Sequence, residues 1–479
     1  MFANAARAVP DRVAAALGDR TLTFASLESK SNQVAAALAA EGVERGSRVA
    51  LRCATNLDAA PIFAALAKLG AVFVPINGLL GDDEASAIVA IARADLVVQA
   101  SGGLPRSKAA VVELGALLES AEGFTGSPLE VEGPAERDPH VVFFTSGSTG
   151  APKGAVLSHR VDYLRSHPGA LLEPRGPMVC PYPLFHMGAW TIALQQWQAR
   201  DAVVLVSSAT AEEIVEAVER HGATRLNCIP GVWRRVLDEL TGPRPGALST
   251  VRFADTGTSA TPVELLREIA AALPKAHVRV FYGSTEAGSV ASLDHGDIER
   301  KPGSCGVPVP GTQVRVAEDG ELWVRNATLF DGYLDDASAT DACLVDGWYR
   351  TGDLADEDDE GYLRIVGRAR DVIRTGGETV APREVEEVLS TLPTIREVAV
   401  IGLADITWGE IVCAVVVTES GSDPPTLEAL QQQCAGRLAR FKQPRAIRVV
   451  DALPRTASTG QIQRRLLAEQ LTTERPAET

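Results

Sequence analysis

Helical apolar spacing and short β-like runs alternate along most of this chain, and that alternation restricts its fold more than any other feature. The spacing predicts a helix over 27–40, with Val34 and Leu38 inward, an extended run over 48–51, and a helix over 59–69. A strand over 71–76 then closes at Pro75 and Gly78. The pattern recurs as strand 203–206 with helix 211–221, and as helix 262–273 with strand 279–282. Strand–helix alternation implies mostly parallel sheets covered by helices, an α/β fold.

The texture changes after about residue 300. Gly, Pro and short alternating runs at 314–316 and 321–325 predict a β-rich subdomain over about 300–366. A second change comes near Gly367. The acidic run 356–360 and extended 363–366 lead into charged 368–371. Helix 382–389, strands 398–402 and 411–417 and helix 427–439 follow. The expected division is a large domain over 1–369 and a small α+β domain over 370–479. Of 479 residues 46% are hydrophobic, enough to bury large cores and exclude wholesale disorder. The 46 basic and 62 acidic side chains give 46 − 62 = −16, which argues against a nucleic-acid or anionic-membrane binder. The most apolar region, 59–76, contains Lys68 and Gly70 and falls short of the ~20 apolar residues of a membrane span. Residues 1–20 carry Asp11 and Arg12 and do not read as a signal peptide. Seven cysteines without a CxxC pair read as core thiols of a cytoplasmic protein.

Phe143 and Phe144 end an apolar run that opens into Thr145, Ser146, Gly147, Ser148, Thr149, Gly150, Ala151, Pro152, Lys153 and Gly154. Glycines let backbone N–H groups approach phosphate oxygens, hydroxyls add donors and Lys153 adds charge. Pro152, five residues after Gly147, stands where a Walker loop needs Gly, so this is another kind of phosphate cradle.

The segment resembles the signature loop of the adenylate-forming superfamily, which includes acyl-CoA and aryl-CoA synthetases, peptide-synthetase adenylation domains and luciferases. Three further stretches follow in that family's order. Tyr282-Gly283-Ser284-Thr285-Glu286 resembles its adenine, α-phosphate and magnesium motif. Gly347 to Asp353 resembles its ribose motif, and Gly367-Arg368-Ala369-Arg370-Asp371 its hinge. The resemblance implies a large N-terminal domain with a mobile C-terminal domain turning near Arg370. It implies ATP or AMP, CoA and Mg²⁺ as ligands. Asp353 and Arg368 would hold ribose, Thr285 the α-phosphate and Glu286 the metal. Tyr282 would face adenine against Gly257, Thr258 and Ser259, and Gly376 and Gly377 would line a pantetheine tunnel. The plainer alternatives are a surface ion pair for Asp353 with Arg368 and a capping carboxylate for Glu286.

Pro183-Leu184-Phe185-His186-Met187-Gly188 resembles the family segment lining the acyl pocket. Amino-acid-activating members place Asp just after the aromatic residue. His186 stands there, which disfavours an α-amino acid. His186 either shapes the pocket or packs in the core. Phe185, Met187, Trp190, Trp233, Gly257 and Gly283 complete the candidate pocket, the two glycines leaving room for an aromatic or bulky acid.

Family members carry a lysine after the glycine of a C-terminal Pro-Arg-Thr motif. Here Pro454-Arg455-Thr456 runs through Gly460 to Gln461, one residue longer, and Lys442 is the only lysine after the hinge. Losing one preorganised donor to transition-state charge costs roughly 3–4 kcal/mol, and Gln supplies an amide without charge. Thiol attack on a preformed acyl-adenylate needs no such group. The expectation is therefore thioesterification with impaired adenylation, a separate adenylating enzyme supplying the acyl-adenylate in a specialised biosynthetic pathway. The alternatives are a complete ligase in which Arg464, Arg455 or Gln461 suffices, and a silent nucleotide- or acyl-CoA-binding regulator. The oligomeric state, monomer or homodimer, stays open.

Overall fold

The computed structural model describes residues 1–100, 104, 108–146, 152–167, 176–375, 378–456 and 460–473. The chain divides into two compact units, one of 1–313 with 324–349 and the other of 314–323 with 350–479.

The first unit is α/β, as the alternation predicts. A nine-stranded sheet has six parallel strands at its centre, from His277–Ser284 through Phe253–Gly257 to Val13–Leu17, with antiparallel strands at the edges. A seven-stranded sheet is parallel where Arg48–Cys53 and Val72–Asn77 pair. It turns antiparallel at the hairpin Pro139–Ser146 with Pro152–Ser158. Helices Ala59–Leu69 and Ala211–His221 have the bounds the spacing predicts. Gly70 and Gly222, at φ +69° and +57°, end them in the left-handed conformation that glycine adopts cheaply.

The second unit pairs Trp348–Glu357 with Leu363–Arg368 and contains a five-stranded sheet centred on Gly409–Thr418. That strand is buried on both faces. Val412, Ala414 and Val416 pack under helices Pro382–Leu389 and Leu427–Cys434. Cys413, Val415 and Val417 pack with Leu467 of helix Arg464–Thr473. Burial on both faces accounts for the continuous apolar run over 411–417. The helix expected over 427–439 stops at Cys434, because Ala435 is extended and Gly436 takes φ +74°. Strand Ala446–Val449 and helix Arg464–Thr473 have no counterpart among the sequence expectations.

The seven cysteines are all free and six are buried. Burial pushes the thiols of Cys53 and Cys180 up to about 12, as expected for inert core groups. No helix among the described residues is long and apolar enough to cross a membrane.

Trp233 illustrates the core beneath the strand ends. It is 0% exposed on helix Pro230–Thr241, and its Nε1 donates to the Asp255 carbonyl at 2.9 Å. Trp233→Ala should cost about 3–5 kcal/mol, read as a lower denaturant midpoint. An unchanged midpoint would remove Trp233 from the core.

Candidate active site

Thr145 and Lys153 face each other across the hairpin mouth, the Thr145 hydroxyl donating to the Lys153 carbonyl at 3.4 Å. Gly147, Ser148, Thr149 and Gly150, and the side chain of Ser146, lie outside the described residues. Lys153 Nζ stands 5.1 Å from the centroid of the Tyr333 ring, a cation–π distance.

Tyr333 leads to the acidic residue of the site. Its hydroxyl donates to Glu286 Oε1 at 2.9 Å, and Glu286 is only 8% exposed. Burial first, then the neighbouring carboxylate, pushes the Tyr333 phenol up, so it remains a protonated donor. Thr285 and Glu286 form the turn after strand His277–Ser284, and the Ala287 N–H closes it on Ser284 Oγ at 3.0 Å.

Arg165, on helix His159–Ser166, holds the turn from behind. It donates to the carbonyls of Thr285 at 3.0 Å, Glu286 at 3.1 Å and Thr328 at 2.8 Å. Burial lowers its pKa to about 10, with Asp162, Glu286 and Asp331 opposing, so it stays charged at neutral pH. Neither Arg165 nor Tyr333 was among the expected site residues. Arg165 sits in an ordinary helical stretch and meets its partners about 120 positions away, which no local pattern reveals.

Gly257 ends the parallel strand beside Tyr282's and pairs with Phe281. Thr258 follows at φ +63°, an uncommon conformation for a β-branched residue, with its hydroxyl on the Gly257 carbonyl at 2.6 Å, and Ser259 comes next. Tyr282 and Gly257–Ser259 thus come from the carboxyl ends of adjacent parallel strands, where open α/β sheets bind ligands. The reason expected for the two glycines is corrected. A Cβ on Gly257 would lie 2.5 Å from the Phe281 carbonyl oxygen, and one on Gly283 2.1 Å from that of Gly288. Backbone fills the space they leave, so close strand approach demands glycine there.

His186 caps helix Met187–Gln198, its Nδ1 accepting from the Gly188 N–H at 3.0 Å while its ring stacks on Tyr182. Burial lowers its pKa to about 4, so it is neutral at pH 7. Phe185 and Met187 flank it and are partly exposed. Trp190 and Trp233 are buried, and Trp190 stacks on Phe63 at 4.4 Å.

In the second unit, Asp353 and Arg368 are cross-strand neighbours, paired Oδ1 to Nε at 2.7 Å, with Asp353 4% exposed. Thr351 positions the pair: its hydroxyl accepts from the Asp353 N–H at 3.0 Å and donates to the Leu322 carbonyl at 2.7 Å. Arg370 is exposed on the short helix Ala369–Asp371. Gly376 and Gly377 lie outside the described residues. Gln461 is exposed in a loop closed on itself. Its N–H donates to Thr456 Oγ1 at 3.1 Å, its carbonyl accepts from the Thr456 N–H at 2.8 Å, and Arg455 donates to the Gly460 carbonyl at 2.7 Å. Arg455 also pairs with Glu397, and Lys442 with Glu384.

The chain matches the AMP-binding enzyme family over residues 2–334 and the AMP-binding enzyme C-terminal domain over 384–459. This protein is an AMP-binding enzyme of the adenylate-forming superfamily. Similar proteins include indoleacetate–CoA ligase of Aromatoleum aromaticum, 33% identical with 94% of this chain and 93% of that protein covered. A 2-succinylbenzoate–CoA ligase of Listeria monocytogenes is 29% identical, with 97% of each covered. Among solved structures, o-succinylbenzoate CoA synthetase of Bacillus subtilis with its acyl-adenylate superposes with TM-score 0.88 at 25% identity, covering 100% and 99% of the chains. ATP-bound MatB of Rhodopseudomonas palustris gives 0.89 at 27%, covering 98% of each. The fold is that of adenylate-forming enzymes, and the relatives place this AMP-binding enzyme among the acid–CoA ligases.

The donor set fits magnesium bound chiefly through substrate phosphates. Glu286 is a single carboxylate, and no group of three or more His, Cys, Asp or Glu that could hold a metal occurs among the described residues. Mg²⁺ characteristically takes one or two carboxylates plus phosphates and water.

Two predictions follow from this geometry. Arg165→Leu leaves buried carbonyls without their donor and should lower stability by about 1–3 kcal/mol or more, read by denaturant titration. His186 has a folded pKa below its unfolded value, so the unfolded chain binds the extra proton as pH falls. Stability from this group is therefore present above about 6.5 and is lost as pH falls towards about 4. His186→Gln should flatten the pH dependence of unfolding in that window; an unaltered slope would show that His186 is not buried neutral.

Proposed function

We propose that this AMP-binding enzyme is an AMP-forming acid–CoA ligase whose adenylation step is slowed by Gln461. The acidic turn of the first unit carries the reading. Tyr333 and Arg165 hold Glu286 and its turn in place, an investment of buried polar groups that a chain without nucleotide chemistry has no cause to keep.

In the first half-reaction a carboxylate oxygen attacks the α-phosphorus of ATP and pyrophosphate leaves. Lys153, Thr145 and the loop up to Gly150 hold the outgoing phosphates. The Thr285 hydroxyl donates to the α-phosphate. Glu286 would hold Mg²⁺, which when bound neutralises triphosphate charge. Asp353 and Arg368 hold ribose, and Tyr282 with Gly257, Thr258 and Ser259 holds adenine. In the second half-reaction the CoA sulfur attacks the acyl carbon, its proton is lost, and AMP leaves. Turning at Arg370, with 370–479 moving as a domain, would bring Gly376 and Gly377 to the pantetheine arm.

The acid is aromatic or bulky. Its segment, Phe185 to Trp190, offers a neutral His186 and no carboxylate for an ammonium group. Relatives named for indoleacetate, 2-succinylbenzoate and 4-chlorobenzoate support the same class.

A second reading, thioesterification alone from an acyl-adenylate made by a separate enzyme, is favoured by Gln461 itself. Acid, ATP and CoA are compared with synthetic acyl-adenylate and CoA. The main reading expects CoA ester from both, with the adenylate faster. Ester from the adenylate alone establishes the second reading, and ester from neither sinks both. Gln461→Lys should raise acid-dependent AMP formation by about 10²-fold. An unchanged rate would remove Gln461 as the cause of any defect.

A further inference from the structure

The two carboxylate oxygens of Glu286 stand differently. Oε1 accepts from the Tyr333 hydroxyl at 2.9 Å. Oε2 has no hydrogen-bond partner among the described residues, yet it is not one of the unpaired side-chain atoms shut off from water. A side chain only 8% exposed thus keeps one oxygen occupied and one available.

The donor is anchored and does not simply follow the carboxylate. The Tyr333 N–H donates to Thr340 Oγ1 at 2.8 Å, and the Thr340 hydroxyl donates in turn to the Asp336 carbonyl at 2.8 Å. The Tyr333 ring meets Phe330 edge to face at 4.9 Å, with the Lys153 ammonium 5.1 Å from its centroid. Glu286 is fixed from its own side, its carbonyl accepting from the Phe330 N–H at 2.7 Å. Turning the carboxylate to offer both oxygens to one ion would bend or break the bond to Tyr333. Hydrogen bonds to ionised groups are the stronger kind, so that turn is opposed.

This bears on which cation the carboxylate suits. Mg²⁺ is small, demands near-ideal octahedral geometry and takes one or two carboxylates beside phosphates and water. Ca²⁺ is larger, gathers about six to eight oxygens and readily takes both oxygens of one carboxylate. A glutamate with one oxygen tied up serves the first geometry and handicaps the second.

We propose that Tyr333 is a metal-selectivity residue: by holding Oε1 it leaves Glu286 a single oxygen, Oε2, for a cation, and so favours Mg²⁺ over Ca²⁺ on the bound nucleotide. The inference rests on the reading of Glu286 as the metal carboxylate. Tyr333 acts through Glu286, as a positioning residue.

Isothermal titration of the full chain, wild type and Tyr333→Phe, with Mg–ATP and separately with Ca–ATP tests this by binding, without CoA or a known acid. AMP serves as a control that needs no metal. The wild type should bind Mg–ATP more tightly than Ca–ATP. In Tyr333→Phe that preference should shrink by at least about tenfold, the size a hydrogen bond to a charged group supplies, while AMP binds both forms alike. A merely structural role for Tyr333 would weaken both metal nucleotides together and leave their ratio unmoved. An unmoved ratio, or a wild type without preference for Mg²⁺, would overturn the proposal and leave the nucleotide reading standing. A wild type that binds neither metal nucleotide would bring down that reading and the proposal together. If circular dichroism shows Tyr333→Phe unfolded, difference infrared spectra of the wild type decide. Mg–ATP should widen the splitting of the carboxylate stretches that Glu286→Gln lacks, as coordination through one oxygen does. A narrowed splitting, the signature of both oxygens on the ion, would overturn the proposal.

Discussion

The turn of Thr285 and Glu286 rests on one guanidinium. Arg165 is largely withdrawn from water, and a charge in that position must be met by good hydrogen-bond geometry or it destabilises the fold. Three main-chain carbonyls meet it, from Thr285, Glu286 and Thr328. These belong to segments distant in sequence, so satisfying the charge also fixes where the segments stand. The Glu286 side chain then has little freedom, because its backbone is pinned by Arg165 and by the Phe330 N–H, and its carboxylate by Tyr333. Placing the acidic group thus goes together with satisfying a partly buried cation.

The second unit shows fold and chemistry separating. The loop that ends at Gln461 closes through Thr456, Arg455 and the main chain, and Arg464 anchors the following helix on both oxygens of Glu386 at 2.7 and 2.8 Å. None of these bonds uses the side chain at position 461. The loop's closure through these bonds runs through the main chain at position 461. The Asp353–Arg368 pair works the other way. The ion pair, a surface contact only in the plainer alternative of the sequence reading, is a cross-strand pair with a buried carboxylate, and the same geometry presents both side chains on one strand pair.

The fold was legible wherever one periodicity dominated. Helices 59–69, 211–221 and 382–389 follow from apolar spacing and clear ends, Gly70 and Gly222 for the first two. The helix expected over 427–439 ends early because Ala435 is extended and Gly436 stands left-handed beyond it. In the site, motifs pointed to Thr285, Glu286, Asp353 and Arg368, since these sit in short stretches of unusual composition. Arg165 and Tyr333 were illegible, because each acts through a tertiary contact with nothing local to mark it, whereas Thr351 lies inside the ribose-like stretch Gly347 to Asp353. Gly257 and Gly283 were noticed for the wrong reason. Sequence shows that a side chain is absent, and only packing shows what takes its space.

An acidic chain must gather its cations where phosphates are to lie, and the commitments of those cations bear on whether one of them could act beside Gln461. Arg455 is held by Glu397 and by the Gly460 carbonyl. Arg464 is held by Glu386 and lies 3.6 Å from Asp371, with its Nε buried and unpaired. Lys442 is held by Glu384. Moving any of them towards a nucleotide would strand a carboxylate that is now paired, and for Arg464 it would also undo the anchor of the last helix. These pairs are partly exposed, Arg455 with Glu397 most of all, so each holds its cation less firmly than a buried pair would. Arg455, Arg464 and Lys442 thus each already have a carboxylate partner, and position 461 itself carries the uncharged amide of Gln461.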